Sequence, residues 1–425
     1  MKLLIRNAHI YSEPYAKRCD VAIEDGYIKH IGNVPGDFIP DETKDASSKT
    51  IYPGLINAHT HSYMSIFRNY ADDVEFDEWL FKRIMPVEDE LSGTEAGYAA
   101  ELAFAEMIKG GTTAFVDMHM FPHDIVHAVS SSGIRAVLSR GLVGEDEKDP
   151  GAIRRIEEAF SEMEDEDASC GRISFMLGPH SIYTAGEKLL SHIAGLSEET
   201  GLAVNMHLAE TKKEYDDCIN NHGMSPVAYA NSLGLLKEGT ILAHGVQLDD
   251  DDISIIKETK STIVLCPASN AKLGNGMAKF GKLANSGINL CIGTDGAGSN
   301  NSLNMIADMR LLSIMAKASE CDPCMMPAKT VLDMATKNAA RAIGMDGKLG
   351  EIKEGYIADI FFVNDDLPNM RPNFDSTSAI VNSMSGAEIC DVMIDGKFVM
   401  KDGELLTIDM EKVLFETEKI ASKMK

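Results

Sequence analysis

His59 and His61 stand one residue apart, just past the short apolar run Leu55–Ile56. Side chains two apart on a strand project from the same face, so the pair can offer two imidazole nitrogens to one ion. With twelve histidines in the chain, such a pair arises readily by chance. It gains meaning from its company. His207 adds a third imidazole and Asp295 a carboxylate oxygen, each again following an apolar run. Three nitrogens and one oxygen suit Zn²⁺, with Fe²⁺ or Mn²⁺ as substitutes. A second ion would need a bridging ligand, and the segment Arg172–Leu177 has no lysine that could be carbamylated, so one divalent metal ion is expected. Asp117, Arg140, His180, Glu210 and His244 occupy equivalent places after other apolar runs.

The elements that must position these groups are legible as a rhythm. From about Pro53 to Gly350 run Leu55–Ile56, Ala114–Val116, Ala136–Leu138, Ile173–Leu177, Ala203–Met206, Ile241–Ala243, Ile263–Leu265 and Leu290–Ile292, each followed by a polar residue or glycine and then a helical pattern. Eight strand–helix repeats predict a parallel (β/α)₈ TIM-like barrel. Ionisable residues follow seven of the eight runs, and in such a barrel all strand C-termini meet at the face that carries chemistry. The chain ends differ. Leu3–Ile5, Val21–Ile23, Ile28–Ile31, Ile360–Val363 and Val392–Ile394 are strand-like, with Asp25-Gly26 and Asp395-Gly396 as hairpin signals. The expected class is therefore α/β, with residues 53–350 as barrel and residues 1–52 and 351–425 forming one small β-sandwich and a terminal helix. Asn301 and Ser302 are N-cap candidates for a helix with Met305, Met309, Leu312 and Met315 on its core face, and the acidic run Glu157–Asp167 is expected to be a solvated helix face.

Composition narrows the partners. The 425 residues carry a formal charge of −26, which disfavours nucleic-acid and anionic membrane surfaces. No apolar stretch reaches the roughly 18–20 residues of a membrane span, and the N-terminus meets Arg6 too early for a signal peptide. Eight scattered cysteines form no disulfide framework, so a soluble, cytoplasmic protein is expected. Other metal motifs fare poorly. His119, His123 and His127 are spaced by four, but Pro122 interrupts the helix they would need. Cys321 and Cys324 form a CxxC without a partner pair, and the chain lacks the H-x-E that accompanies P-C-x-x-C in one class of zinc enzymes.

The segments PGLINAHTHS (53–62), LGPHSIY (177–183), MHLAET (206–211), LAHG (242–245), PASNAKLGNG (267–276) and GTDGAGSNNSLN (293–304) resemble the amidohydrolase superfamily. Within it the chain resembles, nearly end to end, the methylthioadenosine/S-adenosylhomocysteine deaminases, whose relatives include chlorohydrolases. The resemblance implies that His59, His61, His207 and Asp295 hold the metal and that Asp295 also takes a proton from water. It implies Glu210 as proton shuttle and His244 beside the reacting carbon. Glu88 would bind ribose hydroxyls and His180 the purine. Arg140 and one of Arg154 and Arg155, with Arg155 favoured, would pair with the amino-acid carboxylate of S-adenosylhomocysteine. The substrate would be a small adenine nucleoside and the assembly a homo-oligomer.

Gln247 stands where the family commonly has His, and Leu265-Cys266 replace a usual His-Asn, so all three are expected along the pocket. Trp79, the single tryptophan, is either an aromatic wall of the pocket or loop packing. Arg140 has the alternative of a structural salt bridge at the barrel rim. The competing activities are guanine or pterin deamination and triazine dechlorination. A non-catalytic barrel scaffold is disfavoured because all six metal and proton-handling residues are retained.

Overall fold

A computed structural model describes residues 1–14 and 17–424. The N-terminal strands β1 (Lys2–Ile10), β2 (Cys19–Glu24), β3 (Tyr27–Gly32), β4 (Glu42–Asp45) and β5 (Lys49–Pro53) precede eight barrel positions. These are β6 (Leu55–Thr60), β7 (Thr112–His119), β8 (Arg135–Leu142), β9 (Ile173–Phe175) with its short continuation β10 (Gly178–Pro179), β11 (Asn205–Leu208), β12 (Ile241–His244), β13 (Thr262–Leu265) and β14 (Asn289–Ile292). The chain then returns through β15 (Ile360–Asn364), β16 (Ile389–Ile394), β17 (Lys397–Lys401) and β18 (Glu404–Leu405).

The terminal strands form one nine-stranded sheet in the order β18-β17-β16-β15-β5-β1-β2-β3, with β4 also on β1. The two halves of the expected sandwich are thus joined into one continuous sheet through β1. Leu3, Ile23 and Ile28 from one end meet Ile360, Phe362 and Met393 from the other in one buried core. Both expected hairpins form. Asp25 and Gly26 (φ 51° and 84°) and Asp395 and Gly396 (φ 53° and 70°) place both turn residues in the left-handed region, as a type I′ turn requires. The two turns meet: a Cβ on Gly396 would lie 2.6 Å from Gly26 Cα, so no larger residue fits there.

In the barrel, β6–β9 and β11–β14 pair in parallel register. A bridge between Leu177 and Val204 joins the two halves. At the other seam the Asp295 amide donates to the His59 carbonyl (3.0 Å), while Asn57 and Thr294 exchange bonds of 2.7 and 3.0 Å. Ile56, Val116, Val137, Ile241, Val264 and Cys291 fill the interior below the strand ends. Three of the surrounding helices open with reciprocal capping boxes, Ser92/Glu95, Thr211/Glu214 and Asp249/Asp252, each cap worth about 1 kcal/mol. A bidentate pair, Arg135 Nε to Asp359 Oδ2 at 2.9 Å and Nη2 to Oδ1 at 3.2 Å, ties β8 to the terminal sheet. The terminal helix, Met410–Ala421, lies along Gly93–Lys109. Among the described residues no helix is long and apolar enough to cross a membrane.

Two local expectations change. The helix Met305–Glu320 is capped by Asn304, whose Oδ1 accepts from the amides of Ile306 and Ala307. Asn301 is instead left-handed (φ 69°) and bonds Asn69 and Asp72. The acidic run is not one solvated face. Its helix ends at Ser161, Glu162 is buried 3.2 Å from His119, and Asp165 and Asp167 face His123 and His127 at 2.7 and 2.8 Å. The three histidines spaced by four are therefore taken up by carboxylates. His119 lies on a strand, so the spacing does not describe one helix face.

Candidate active site

The chain leaving β6 is fixed first. Asp117, at the end of β7, accepts from the Ser62 amide (2.7 Å) and hydroxyl (2.6 Å). Burial pushes this carboxyl up, against the pull of His119 and the Ser62 bonds. His61 Nδ1 donates to the Met118 carbonyl and His207 Nδ1 to the His180 carbonyl, both at 2.8 Å. With the proton on Nδ1, each Nε2 keeps a bare lone pair, and these two atoms stand 3.1 Å apart. His59, fully buried, has no hydrogen-bond partner on either ring nitrogen. The ligating nitrogens of His59, His61 and His207 all lie within 4.8 Å of one another. Converging bare lone pairs in a buried site repel, and a cation among them resolves the repulsion. The residues present fit a divalent ion. Burial, with neighbouring imidazoles adding to it, holds His59 and His207 well below the usual histidine range, in the neutral form that ligates.

Asp295 borders this cluster. Its Oδ1 lies 3.4 Å from His61 Nε2 and 3.7 Å from His59 Nε2, and also accepts the Gly296 amide at 2.7 Å. Its Oδ2 accepts from Ser269 (2.6 Å) and Ser299 (2.8 Å). Burial raises this carboxyl, but His244, His61, His59 and the Ser269 bond outweigh it and hold it well below the carboxylate range. His244 ends β12 and Asp295 follows β14, with φ of 78° and 61°. A left-handed non-glycine residue costs about 1–3 kcal/mol and marks sites where side-chain aim outranks backbone comfort.

His244 Nδ1 bonds Asn270 Oδ1 at 2.8 Å, leaving Nε2 aimed at Glu210 Oε1, 3.8 Å away. Burial lowers the His244 affinity for a proton, yet the Glu210 and Asp295 carboxylates reverse this and raise it. Glu210 is buried, and that burial lifts its carboxyl toward the neutral acid. Burial also takes His180 down to about 3, with His61 adding to it.

Above these groups opens a cavity of about 390 Å³ whose walls include Trp79, Glu88, Arg140, Arg155, His180 and Glu210. His59 lies beneath its floor. Trp79 serves both readings: it faces the cavity and donates its indole N–H to the Gly298 carbonyl at 3.2 Å. Glu88 receives the Tyr63 hydroxyl. Arg140 pairs with Glu158 at 2.9 Å, and Arg154 reaches the same carboxylate at 3.4 Å. Arg155 makes no hydrogen bond or ion pair among the described residues while facing the cavity. Burial and the adjacent Arg140 and Arg154 push its pKa down. Gln247, Leu265 and Cys266 do not line the cavity. Leu265 and Cys266 are buried in the barrel wall, and Gln247 turns to the Asn275 carbonyl at 3.0 Å. Tyr63, Tyr183 and Asn275 were not singled out from sequence. Tyr183 and Asn275 stand inside the motifs LGPHSIY and PASNAKLGNG, and Tyr63 two residues past His61 was the available signal.

The amidohydrolase family model matches residues 50–399. The chain belongs to the amidohydrolase family. It is 37% identical to a 5-methylthioadenosine/S-adenosylhomocysteine deaminase of Thermoanaerobacter pseudethanolicus over 430 residues, covering 100% of this chain and 99% of the relative. Among solved structures it is similar to an adenosine deaminase from Xanthomonas campestris with bound zinc, at TM-score 0.92 and 28% identity, over 99% of this chain and 98% of the other. An atrazine chlorohydrolase from Arthrobacter aurescens TC1 complexed with zinc shares the fold, at TM-score 0.90 and 21% identity, over 99% and 100% of the two chains.

Proposed function

We propose that this chain is a metal-dependent hydrolytic deaminase that converts the adenine of S-adenosylhomocysteine or 5′-methylthioadenosine to hypoxanthine and releases ammonia. The carrying observation is the seating of the buried Glu210 carboxyl, 3.8 Å from His244, in the wall of a cavity floored by bare histidine nitrogens. Full-length relatives bearing that deaminase name support the reading.

His59, His61, His207 and Asp295 would hold the ion, and three nitrogens with one carboxylate favour Zn²⁺, with Fe²⁺ or Mn²⁺ as substitutes. When bound, such a cation supplies water acidified from about 15.7 to roughly 7, able to attack at neutral pH. Glu210, biased by burial to the neutral acid, gives its proton to N1 of the adenine as the water oxygen bonds to C6. One proton of that water, taken up by the Asp295 carboxyl, returns to Glu210, and the other reaches the exocyclic nitrogen. The C6–N bond then breaks and ammonia leaves. His244, favoured in its charged form by the Asp295 carboxylate, donates from Nε2 to the oxygen developing on C6.

Glu88 would take the ribose hydroxyls, replacing its bond from Tyr63, and His180, kept neutral, would meet the purine edge. Arg155 is assigned the substrate carboxylate. Arg140, occupied by Glu158, frames that subsite. The test is ammonia release from a panel of adenine nucleosides, guanine and chlorotriazines, with metal content measured on the same sample. The Glu210→Gln variant should retain the metal and lose about 10²–10⁴-fold in turnover. Normal turnover in that variant, or exclusive activity on guanine or chlorotriazine, overturns the reading.

A further inference from the structure

Glu210 is restrained at more points than a carboxylate that merely lines a pocket needs. Its amide and those of Ala209 and Thr211 donate to the Glu214 carboxyl at 2.6, 3.0 and 3.4 Å. The capping box of the helix Lys212–His222 thereby ties down the turn after β11, where Ala209 is left-handed at φ 54°. The side chain is then gripped at both oxygens. Asn275 Nδ2 donates to Oε1 at 2.9 Å and the Tyr183 hydroxyl to Oε2 at 3.3 Å.

Asn275 is itself held. It lies between Gly274 and Gly276, whose φ of 71° and 107° only glycine adopts cheaply. Its amide donates to the Asn270 carbonyl at 3.0 Å, and its carbonyl accepts from Gln247 Nε2 at 3.0 Å. Three loops, following β11, β12 and β13, are thus joined through Glu210, Gln247 and Asn275.

We propose that Asn275 is a positioning residue for the reaction, acting through Glu210, and that Gln247 holds Asn275 in register for it. The inference rests on the reading of Glu210 as proton shuttle. The choice of amide has a physical reason. A neutral donor fixes the carboxyl's direction without the full charge of a lysine or arginine, which would pull it toward the ionised form and spoil it as an acid. A carboxyl that gives and retakes a proton must keep its distance and angle through both transfers, and misplacement by about 1 Å costs on the order of 10²-fold.

The test is a cycle of kinetic measurements on the metal-loaded enzyme: wild type, Asn275→Leu, Glu210→Gln and the double variant, with Gln247→Ala alongside. Asn275→Leu should lose roughly 10- to 100-fold in kcat with KM and metal content held. Gln247→Ala should lose less in the same direction. In the Glu210→Gln background, Asn275→Leu should cost nothing further, because the group it positions is already disabled. Equal losses in both backgrounds, or an unchanged kcat in the single variant, overturns the proposal while leaving Glu210 in its role. A fully active Glu210→Gln enzyme instead sinks the shuttle reading beneath it. Should Asn275→Leu fail to fold, Asn275→Ser enters the same cycle, judged by the same two outcomes.

Discussion

Replacing Arg155 by alanine separates substrate classes that share one adenine. Arg155 faces the cavity with no hydrogen bond or ion pair among the described residues, whereas Arg140 and Arg154 share the Glu158 carboxylate. Glu158 is held by two guanidinium groups at hydrogen-bond or ion-pair distance, which leaves Arg155 as the cation on this wall free to receive an anion that would otherwise enter against a net charge of −26. A charge-assisted hydrogen bond contributes about 1.5–3 kcal/mol, a factor of roughly 10–150. Arg155→Ala should therefore lower kcat/KM for S-adenosylhomocysteine by roughly 10- to 150-fold and leave 5′-methylthioadenosine, which has no carboxylate, within about twofold. Arg155→Lys should recover only part of the loss, because the bidentate fork is gone. The assay is ammonia release with both substrates under identical buffer and metal. Equal losses on the two substrates would remove the carboxylate role and return Arg155 to structural service.

Chelation should abolish turnover and lower the melting temperature, since an ion that binds only the folded chain adds its binding free energy to stability; zinc addition should restore both, measured by ammonia release and thermal melting. Arg135→Ala should destabilise by about 3–5 kcal/mol in urea unfolding, because it strands the buried Asp359 carboxylate between barrel and sheet. A cost under about 1 kcal/mol would show that water relieves Asp359. Asp308 is buried, and that burial, only partly offset by its bond from Asn300, pushes its carboxyl up to about 7. The folded chain thus holds a proton that the unfolded chain has released above its ordinary value of 3.8, so this group's contribution to stability falls as pH rises from about 4 to 7. Asp308→Asn should flatten the urea midpoint across that window relative to wild type, and parallel curves for the two would dismiss the assignment.

Much of the architecture was readable because its signals are local. The eight strand-like runs between Leu55 and Ile292 all became barrel positions, and Asp25-Gly26 and Asp395-Gly396 both became type I′ turns. Each depends on a few neighbouring residues. The Asn301 and Ser302 caps failed because Asn301 is drawn into bonds with Asn69 and Asp72, more than two hundred positions away. The acidic run failed likewise: Glu162 is buried because His119 awaits it, and nothing in its own neighbourhood announces that.

For the site the division has the same cause. Residue types and their places after strands were enough to nominate His59, His61, His207, Glu210, His244 and Asp295, since alternation along a strand and the common exit face of a barrel are rules of backbone geometry. Only the folded chain decided which arginine is spent on Glu158 and which is left facing the cavity, and that Asn275 and Tyr183 grip the two oxygens of Glu210. Such pairings join loops that carry no periodicity. Whether a polar group is satisfied depends on partners brought close in space, and chain distance does not encode that.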